Sequence, residues 1–157
     1  MKSWGVLLAL SAALALGAGT IAASAADTAQ VIKDRQALMK EQGADMGAVK
    51  GFLDGKADQD KAAAGAADLV TTMSKIPDVF PQGSAGPNPE GKYAPKPEVW
   101  TDWNGFLAQR DVGATKAQAL VAAVKGGDKA AIQAAFADLG KNGCGGCHGK
   151  FREELKK

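Results

Sequence analysis

The chain has few of the residues on which several common kinds of site depend. Its 157 residues include two cysteines, one tyrosine and one histidine. Runs of β-branched residues are few, no stretch alternates in the manner of a strand, and no segment repeats. A helical chain is therefore expected. With no second histidine, a peroxidase-like mechanism that needs acid–base groups is not favoured, and we expect a protein that is not an enzyme.

Charge is also scarce at the start of the chain. After Lys2 there is no charged residue from Ser3 to Ala26, and Val6 begins an apolar stretch. With the small residues Ala23-Ser24-Ala25, this pattern is typical of an export signal that is cleaved before Ala26. Loss of Lys2 takes the 19 basic residues to 18, against 17 acidic ones. This near-neutral balance lacks the basic face that nucleic-acid binding calls for.

We therefore expect residues 1–25 to be a signal peptide and residues 26–157 to form one domain in the periplasm. The alternative is an uncleaved membrane anchor, because the uncharged run is long enough to span a bilayer. Gly17 and Gly19 dilute its second half, which favours cleavage. After cleavage, no later segment is apolar enough to insert stably in a membrane.

The mature chain is rich in Ala, Lys, Asp and Glu, which favours helices. All six prolines lie between Pro77 and Pro97, so this window is expected to form loops and turns. Apolar spacing predicts helices over residues 28–53, capped by Asp27 or Thr28, and over 58–76, 97–126 and 128 to the C-terminus. These helices predict an all-α, antiparallel four-helix bundle with up-down-up-down topology. Its many alanines would bury little area, which indicates that a large apolar group is missing from the core.

Residues 144–148 read Cys-Gly-Gly-Cys-His, which is the C-x-x-C-H motif of covalent haem attachment. Two thiols add to the vinyl groups at one porphyrin edge, and the adjacent imidazole reaches the iron. On a helix, Cys144, Cys147 and His148 share a face, while Gly145 and Gly146 leave room for the macrocycle. The motif predicts one haem c on the C-terminal helix, with His148 as an iron ligand.

Other uses of the two cysteines remain as alternatives. A disulfide would close only a tiny loop and constrain the unfolded chain little. A zinc site would draw all its protein ligands from five consecutive residues, and a thioredoxin-type pair would need a strand before the helix.

A second iron ligand would have to come from upstream, because only nine residues follow His148. Met39 is the candidate, since it shares an apolar stripe with Arg35, whose charge would need a partner such as the haem propionates. Met46 and Met73 are expected to fill the core. Arg152 follows His148 by four residues and is predicted near the proximal side of the haem. Its alternative is a solvated arginine paired with a glutamate.

Four segments carry a family resemblance: residues 31–39 (VIKDRQALM), 77–81 (PDVFP), 97–100 (PEVW), and 144–148 with Phe151-Arg152. Over essentially the whole mature chain, the sequence resembles the class II c-type cytochromes, the cytochrome c′ family. The resemblance implies a four-helix bundle that holds a covalent haem. It also implies homodimers, formed through the first two helices, as a common assembly.

The resemblance implies two competing functions. In low-spin members a methionine at the position of Met39 ligates iron, and such proteins resemble simple electron carriers. In high-spin members that face of the iron is open and binds nitric oxide or carbon monoxide. Residues 38–46 and Lys92-Tyr93 are more similar to the low-spin members. We therefore predict a periplasmic electron carrier that serves redox partner proteins, with high-spin gas binding as the alternative.

Overall fold

The computed structural model describes residues 25–85 and 91–156. The predicted signal peptide, up to residue 24, lies outside these ranges. The helical elements in chain order are α1 (Ala25–Leu53), α2 (Gln59–Ser74), a 3-10 turn (Ile76–Val79), α3 (Glu98–Thr101), α4 (Trp103–Gly126), α5 (Lys129–Asp138), a π-helical segment (Leu139–Cys144) and α6 (Gly145–Phe151). Two short strands, β1 (Tyr93–Pro95) and β2 (Arg152–Glu154), complete the described chain.

The long helices form the predicted four-helix bundle. α1 packs against α2 and α5, and α4 packs against the same two helices, so the four elements enclose one core. Short connections reverse the chain after α1 and after α4, which gives antiparallel neighbours. The all-α fold class is confirmed. Within residues 25–85 and 91–156, no helix combines the length and apolarity needed to cross a membrane.

Local signals end and start the helices at the turns between them. Gly55, just after α1, has a φ of 74°, a conformation that favours glycine. The Asp58 carboxylate accepts a hydrogen bond from the Lys61 backbone N–H at 2.8 Å and caps α2. Gly127 ends α4 with a φ of 75°, and Asp128 caps α5 by accepting from the Ala130 N–H at 2.9 Å. These boundaries are the ones that the sequence predicts.

Two boundary predictions are wrong. α1 already includes Ala25, so Asp27 lies inside its first turn instead of capping it; the alanines before it are strong helix formers. The helix predicted over 97–126 is broken at Asp102, whose φ of −118° is not helical. Asp102 instead caps α4 by accepting from the Gly105 N–H at 3.1 Å.

The sequence also predicts no strand, yet β1 and β2 pair antiparallel. Tyr93 faces Glu154 and Pro95 faces Arg152 in this ladder. Each strand has three residues, too few for an alternating pattern to be recognised. The ladder joins the proline-rich window to the C-terminus. It thereby brings Tyr93 and Arg152 to one end of the bundle.

The core is built around an aromatic cluster at that same end. The Phe106 ring lies 5.0 Å from the ring of Phe80 and 5.3 Å from that of Phe151, measured between centroids, and both pairs are edge-to-face. Such offset geometry is favourable for aromatic pairs. Farther along the bundle the core is aliphatic, with Leu69, Leu120 and Ile132 fully buried.

Candidate haem-binding site

A cavity of about 520 Å³ lies against the aromatic cluster of Phe80, Phe106 and Phe151. Its walls come from one face of α1, from α4, from the π-helical segment with α6, and from the β1 loop. Most of its lining residues are apolar, and its volume lies within the range of about 300–1,000 Å³ usual for cofactor pockets. All six residues that the sequence singles out line it: Arg35, Met39, Cys144, Cys147, His148 and Arg152.

The C-x-x-C-H residues reach the cavity from a wide helical turn. Cys144 ends the π-helical segment, and Cys147 and His148 follow on α6. A π-helical turn changes the direction in which later side chains point, and such turns are frequent at functional sites. Gly143 lets this turn approach α4 closely, since a Cβ atom there would lie 3.3 Å from the Gly113 Cα.

The explanation given for the motif's glycines needs correction. A Cβ atom on Gly146 would lie 2.7 Å from Nε2 of Gln109, on α4, and one on Gly145 would lie 3.1 Å from the Gly140 carbonyl oxygen. These glycines make room for neighbouring protein atoms and are not among the residues that line the cavity.

Burial controls the protonation of the three motif side chains. It raises the pKa of the Cys144 thiol, and it raises the pKa of Cys147 to about 11, with Cys144 as a further cause. Burial, followed by the charge of Arg152, lowers the pKa of His148. At neutral pH the imidazole is therefore uncharged, which is the form that can ligate a metal.

The opposite wall is one face of α1. Arg35, Met39, Gln42, Gly43 and Met46 all line the cavity from there, at the three- and four-residue spacing of one helix face. Met39 is half-buried. Met46 lies near the C-terminal segment, where its Cε is 3.7 Å from the position a Gly140 Cβ would take. Met73 packs on α4, with its Sδ 3.2 Å from the corresponding position at Gly113.

Arg35 finds its partners within the protein. Its side chain is 6% exposed. Its Nε donates to the Val79 carbonyl oxygen at 2.9 Å, and its Nη2 donates to the Ser84 Oγ at 2.9 Å. The guanidinium also lies 4.3 Å from the centroid of the Phe80 ring. The buried charge is compensated by the loop after α2, and a contact between Arg35 and the haem propionates stays a prediction.

Arg152 lines the cavity for a different reason from the predicted one. α6 ends at Phe151, so Arg152 is extended, with a φ of −122°, and the helical four-residue spacing from His148 does not apply. Its guanidinium carbon lies 4.1 Å from the centroid of the Tyr93 ring, in the range of a cation–π contact. The strand pairing that brings these residues together is absent from the sequence prediction, and so is the role of Tyr93.

The residues present fit a covalently bound haem. The cavity is large and mainly apolar, and two half-buried thiols and one neutral imidazole converge on it. A buried polar group, Nε2 of Gln42, has no hydrogen-bond partner among the described residues. Across the described ranges there is no group of three or more His, Cys, Asp and Glu side chains that could hold a metal ion by itself.

Comparisons with known proteins agree with this site. The family model described as Cytochrome C' matches residues 30–152. Cytochrome c' from Rubrivivax gelatinosus is 42% identical over 109 residues, which are 69% of this chain and 82% of the relative. Cytochrome c-556 from Agrobacterium fabrum is 35% identical over 143 residues, which are 88% of this chain and 90% of the relative.

Solved structures agree as well. Cytochrome c' from Rubrivivax gelatinosus superposes with a TM-score of 0.68 at 34% identity, over 80% of this chain and 97% of that chain. A nitric oxide complex of a mutant of cytochrome c prime from Alcaligenes xylosoxidans has a TM-score of 0.69 at 26% identity, over 81% and 97%. The family carries covalent haem c, and Cys144 and Cys147 are the two cysteines of its attachment motif here. The chain belongs to the cytochrome c′ family.

Proposed function

We propose that this haem protein binds nitric oxide or carbon monoxide on the α1 side of its haem. The observation that carries the proposal is the character of the α1 wall. From Met39 toward the C-terminal end of α1 this wall is formed by the uncharged residues Gln42, Gly43 and Met46, and a Cβ atom on Gly43 would meet nothing within 4 Å. Small neutral gases suit such an uncharged space. The nitric oxide complex of the Alcaligenes xylosoxidans relative supports the same assignment.

When bound, the haem supplies an iron that changes oxidation state and can coordinate a small gas. The chain supplies the rest of the site. The uncharged His148 imidazole is the proposed protein ligand, and Cys144 and Cys147 fix the macrocycle against α6. Met39 fills the space on the α1 side without closing it, because its unbranched side chain has several rotatable bonds.

Electron transfer is the second candidate, favoured by the thioether of Met39. Met46 and Met73 pack against glycine positions, which leaves Met39 as the methionine proposed to ligate iron. A thioether ligand is soft, raises the reduction potential and gives a closed, low-spin centre. The sequence favours this alternative. The nitric oxide complex of the relative shifts our preference to an accessible iron.

The proposal includes the location of the protein. Residues 1–25 would direct export and be removed, and the mature domain would work in the periplasm. Redox partner proteins there would return the iron to its ferrous state. A homodimer through the first two helices remains an expectation from the family resemblance.

A spectrum of the reduced protein separates the two candidates. Gas binding predicts a high-spin ferrous spectrum and rapid carbon monoxide binding in the wild type, with little spectral change in Met39→Leu. Electron transfer through a ligated Met39 predicts a low-spin spectrum that becomes high-spin in Met39→Leu. Met46→Leu is the matched control, because Met46 packs at Gly140 and its replacement should leave the spin state unchanged in either case.

A further inference from the structure

Gln42 is a cavity-lining residue whose chemistry the proposed function leaves unused. Its side chain is 8% exposed, and it lines the cavity from α1. Nε2 of its amide is buried and has no hydrogen-bond partner among the described residues. Leaving a buried donor unpaired is costly, so such a group calls for an explanation.

Several other polar groups around the cavity have protein partners, including Arg110, whose Nε makes no hydrogen bond but lies 3.1 Å from the Asp111 carboxylate in an ion pair. Nε2 of Gln109 donates to the Asn142 carbonyl oxygen at 3.0 Å, and Nε of Arg35 donates to the Val79 carbonyl oxygen at 2.9 Å. Gln42 differs because its Nε2 has no such partner, and Met39, Gly43 and Met46, which line the cavity beside it on α1, carry no strong acceptor in their side chains. Its amide is therefore available to a guest of the cavity.

The helix geometry places Gln42 at the level of the thiols. α1 and the C-terminal helices run antiparallel, and Met46 meets Gly140 at 3.7 Å, measured to the Cβ position there. At about 1.5 Å per residue along both helices, Gln42 then lies opposite Cys144 and Met39 opposite Cys147. The Arg35 end, where the loop after α2 covers the cavity, lies about 10 Å away along α1. Gln42 thus lines the cavity at the level of the thiols, away from the end that the loop covers.

We propose that the Gln42 amide donates a hydrogen bond to the gas bound on the α1 side, and so makes this site favour nitric oxide over carbon monoxide. The inference rests on the proposed gas binding and adds a specificity-determining residue to it. A donor in an otherwise apolar wall stabilises a bound ligand in proportion to the negative charge on that ligand's outer atom. Nitric oxide can therefore gain more from Gln42 than carbon monoxide does.

The test uses the reduced holoprotein and the variant Gln42→Leu. Gln30→Leu is the control: Gln30 lies on the same helix, and its amide donates to the Asp34 carboxylate at 2.8 Å. Infrared spectroscopy of the carbon monoxide complex reports the donor directly, because a hydrogen bond to the bound gas lowers its stretching frequency. Stopped-flow measurement gives the nitric oxide dissociation rate, and thermal unfolding without gas gives a readout independent of binding.

The proposal predicts that the carbon monoxide stretching frequency is higher in Gln42→Leu than in the wild type and is unchanged in Gln30→Leu. It also predicts nitric oxide dissociation that is faster by about three- to tenfold, the equivalent of one hydrogen bond. Without gas, Gln42→Leu should be at least as stable as the wild type, because no hydrogen bond is lost.

Two results would overturn it and are distinguishable. An unchanged frequency in Gln42→Leu, with lower stability in the absence of gas, means that the amide bonds to the haem or the protein, and gas binding itself stands. No carbon monoxide band in any variant removes the proposed function together with the role of Gln42.

Discussion

The close crossing of α1 and α2 gives a stability prediction with its own internal control. At Gly65, on α2, a Cβ atom would lie 2.8 Å from the Asp45 carbonyl oxygen and 3.1 Å from the Ala48 Cβ. The first of these is backbone, so it cannot move aside as a flexible side chain would. Gly65→Ala must therefore push α1 away from α2, and α1 carries Arg35 and Met39.

The size of the effect follows from two opposing contributions. Forcing a methyl group into a packed interface costs about 1–3 kcal/mol. Replacing a helical glycine by alanine returns about 0.5–1 kcal/mol, because the unfolded chain loses less entropy. Gly47, exposed on α1, has nothing within 4 Å of its Cβ position, so Gly47→Ala receives only the second contribution. The difference between the two variants isolates the overpacking cost, about 1–3 kcal/mol.

Urea unfolding of both variants, followed by circular dichroism, measures this difference. Gly47→Ala should be more stable than the wild type by about 0.5–1 kcal/mol, and Gly65→Ala less stable than the wild type. In thermal unfolding, the midpoint temperatures of the two variants should differ by about 3–4 °C for each kcal/mol of difference in stability. If Gly65→Ala is as stable as Gly47→Ala, the two helices do not cross as closely as described.

Three other outcomes are expected. Arg35→Leu removes the donors to the Val79 carbonyl oxygen and to Ser84, so it should lower the free energy of unfolding, measured in urea titrations, by about 2–4 kcal/mol. Ser84→Ala removes one of these partners and should lower it by about 1 kcal/mol. Equal effects of the two substitutions would contradict the contact between Arg35 and the loop. Burial, followed by the charges of Asp68 and Glu41, raises the pKa of Asp45 in the folded protein. The free energy of unfolding of the wild type should therefore fall as pH rises through that pKa. In urea titrations, Asp45→Asn should be more stable than the wild type at pH 7 and should lose this advantage near pH 4. Mass spectrometry of the periplasmic protein should give Ala26 as the first residue, within one or two positions, and recovery of the intact chain from membranes would favour an anchor.

The four-helix architecture could be predicted because its signals are local. Apolar residues recur every three or four positions, and Asp58, Gly127 and Asp128 mark helix ends by their own chemistry. The short strands and the π-helical segment could not be predicted. They depend on tertiary pairing, of Tyr93 with Glu154 for example, and leave no period in the sequence.

The sequence predicts the C-x-x-C-H side of the site better than the α1 side. The C-x-x-C-H spacing identifies the haem because the chemistry of attachment requires it, and the covalent haem c is confirmed by the family. Arg35 carried a signal as well, since a charge on an apolar stripe needs a partner. Which partner it takes depends on how the loop folds over α1, and the sequence alone does not locate Val79 or Ser84. Gln42 interrupts the same apolar stripe, but only the cavity reveals its unpaired amide.

Carbon monoxide titration of the dithionite-reduced holoprotein, followed by optical absorption, tests the central claim most directly. The account predicts a high-spin ferrous spectrum before the gas is added, and rapid, saturable binding at a rate that Met39→Leu changes only a few-fold. A low-spin spectrum in the wild type, with slow or no carbon monoxide binding that Met39→Leu makes rapid, would contradict it and assign the protein to electron transfer.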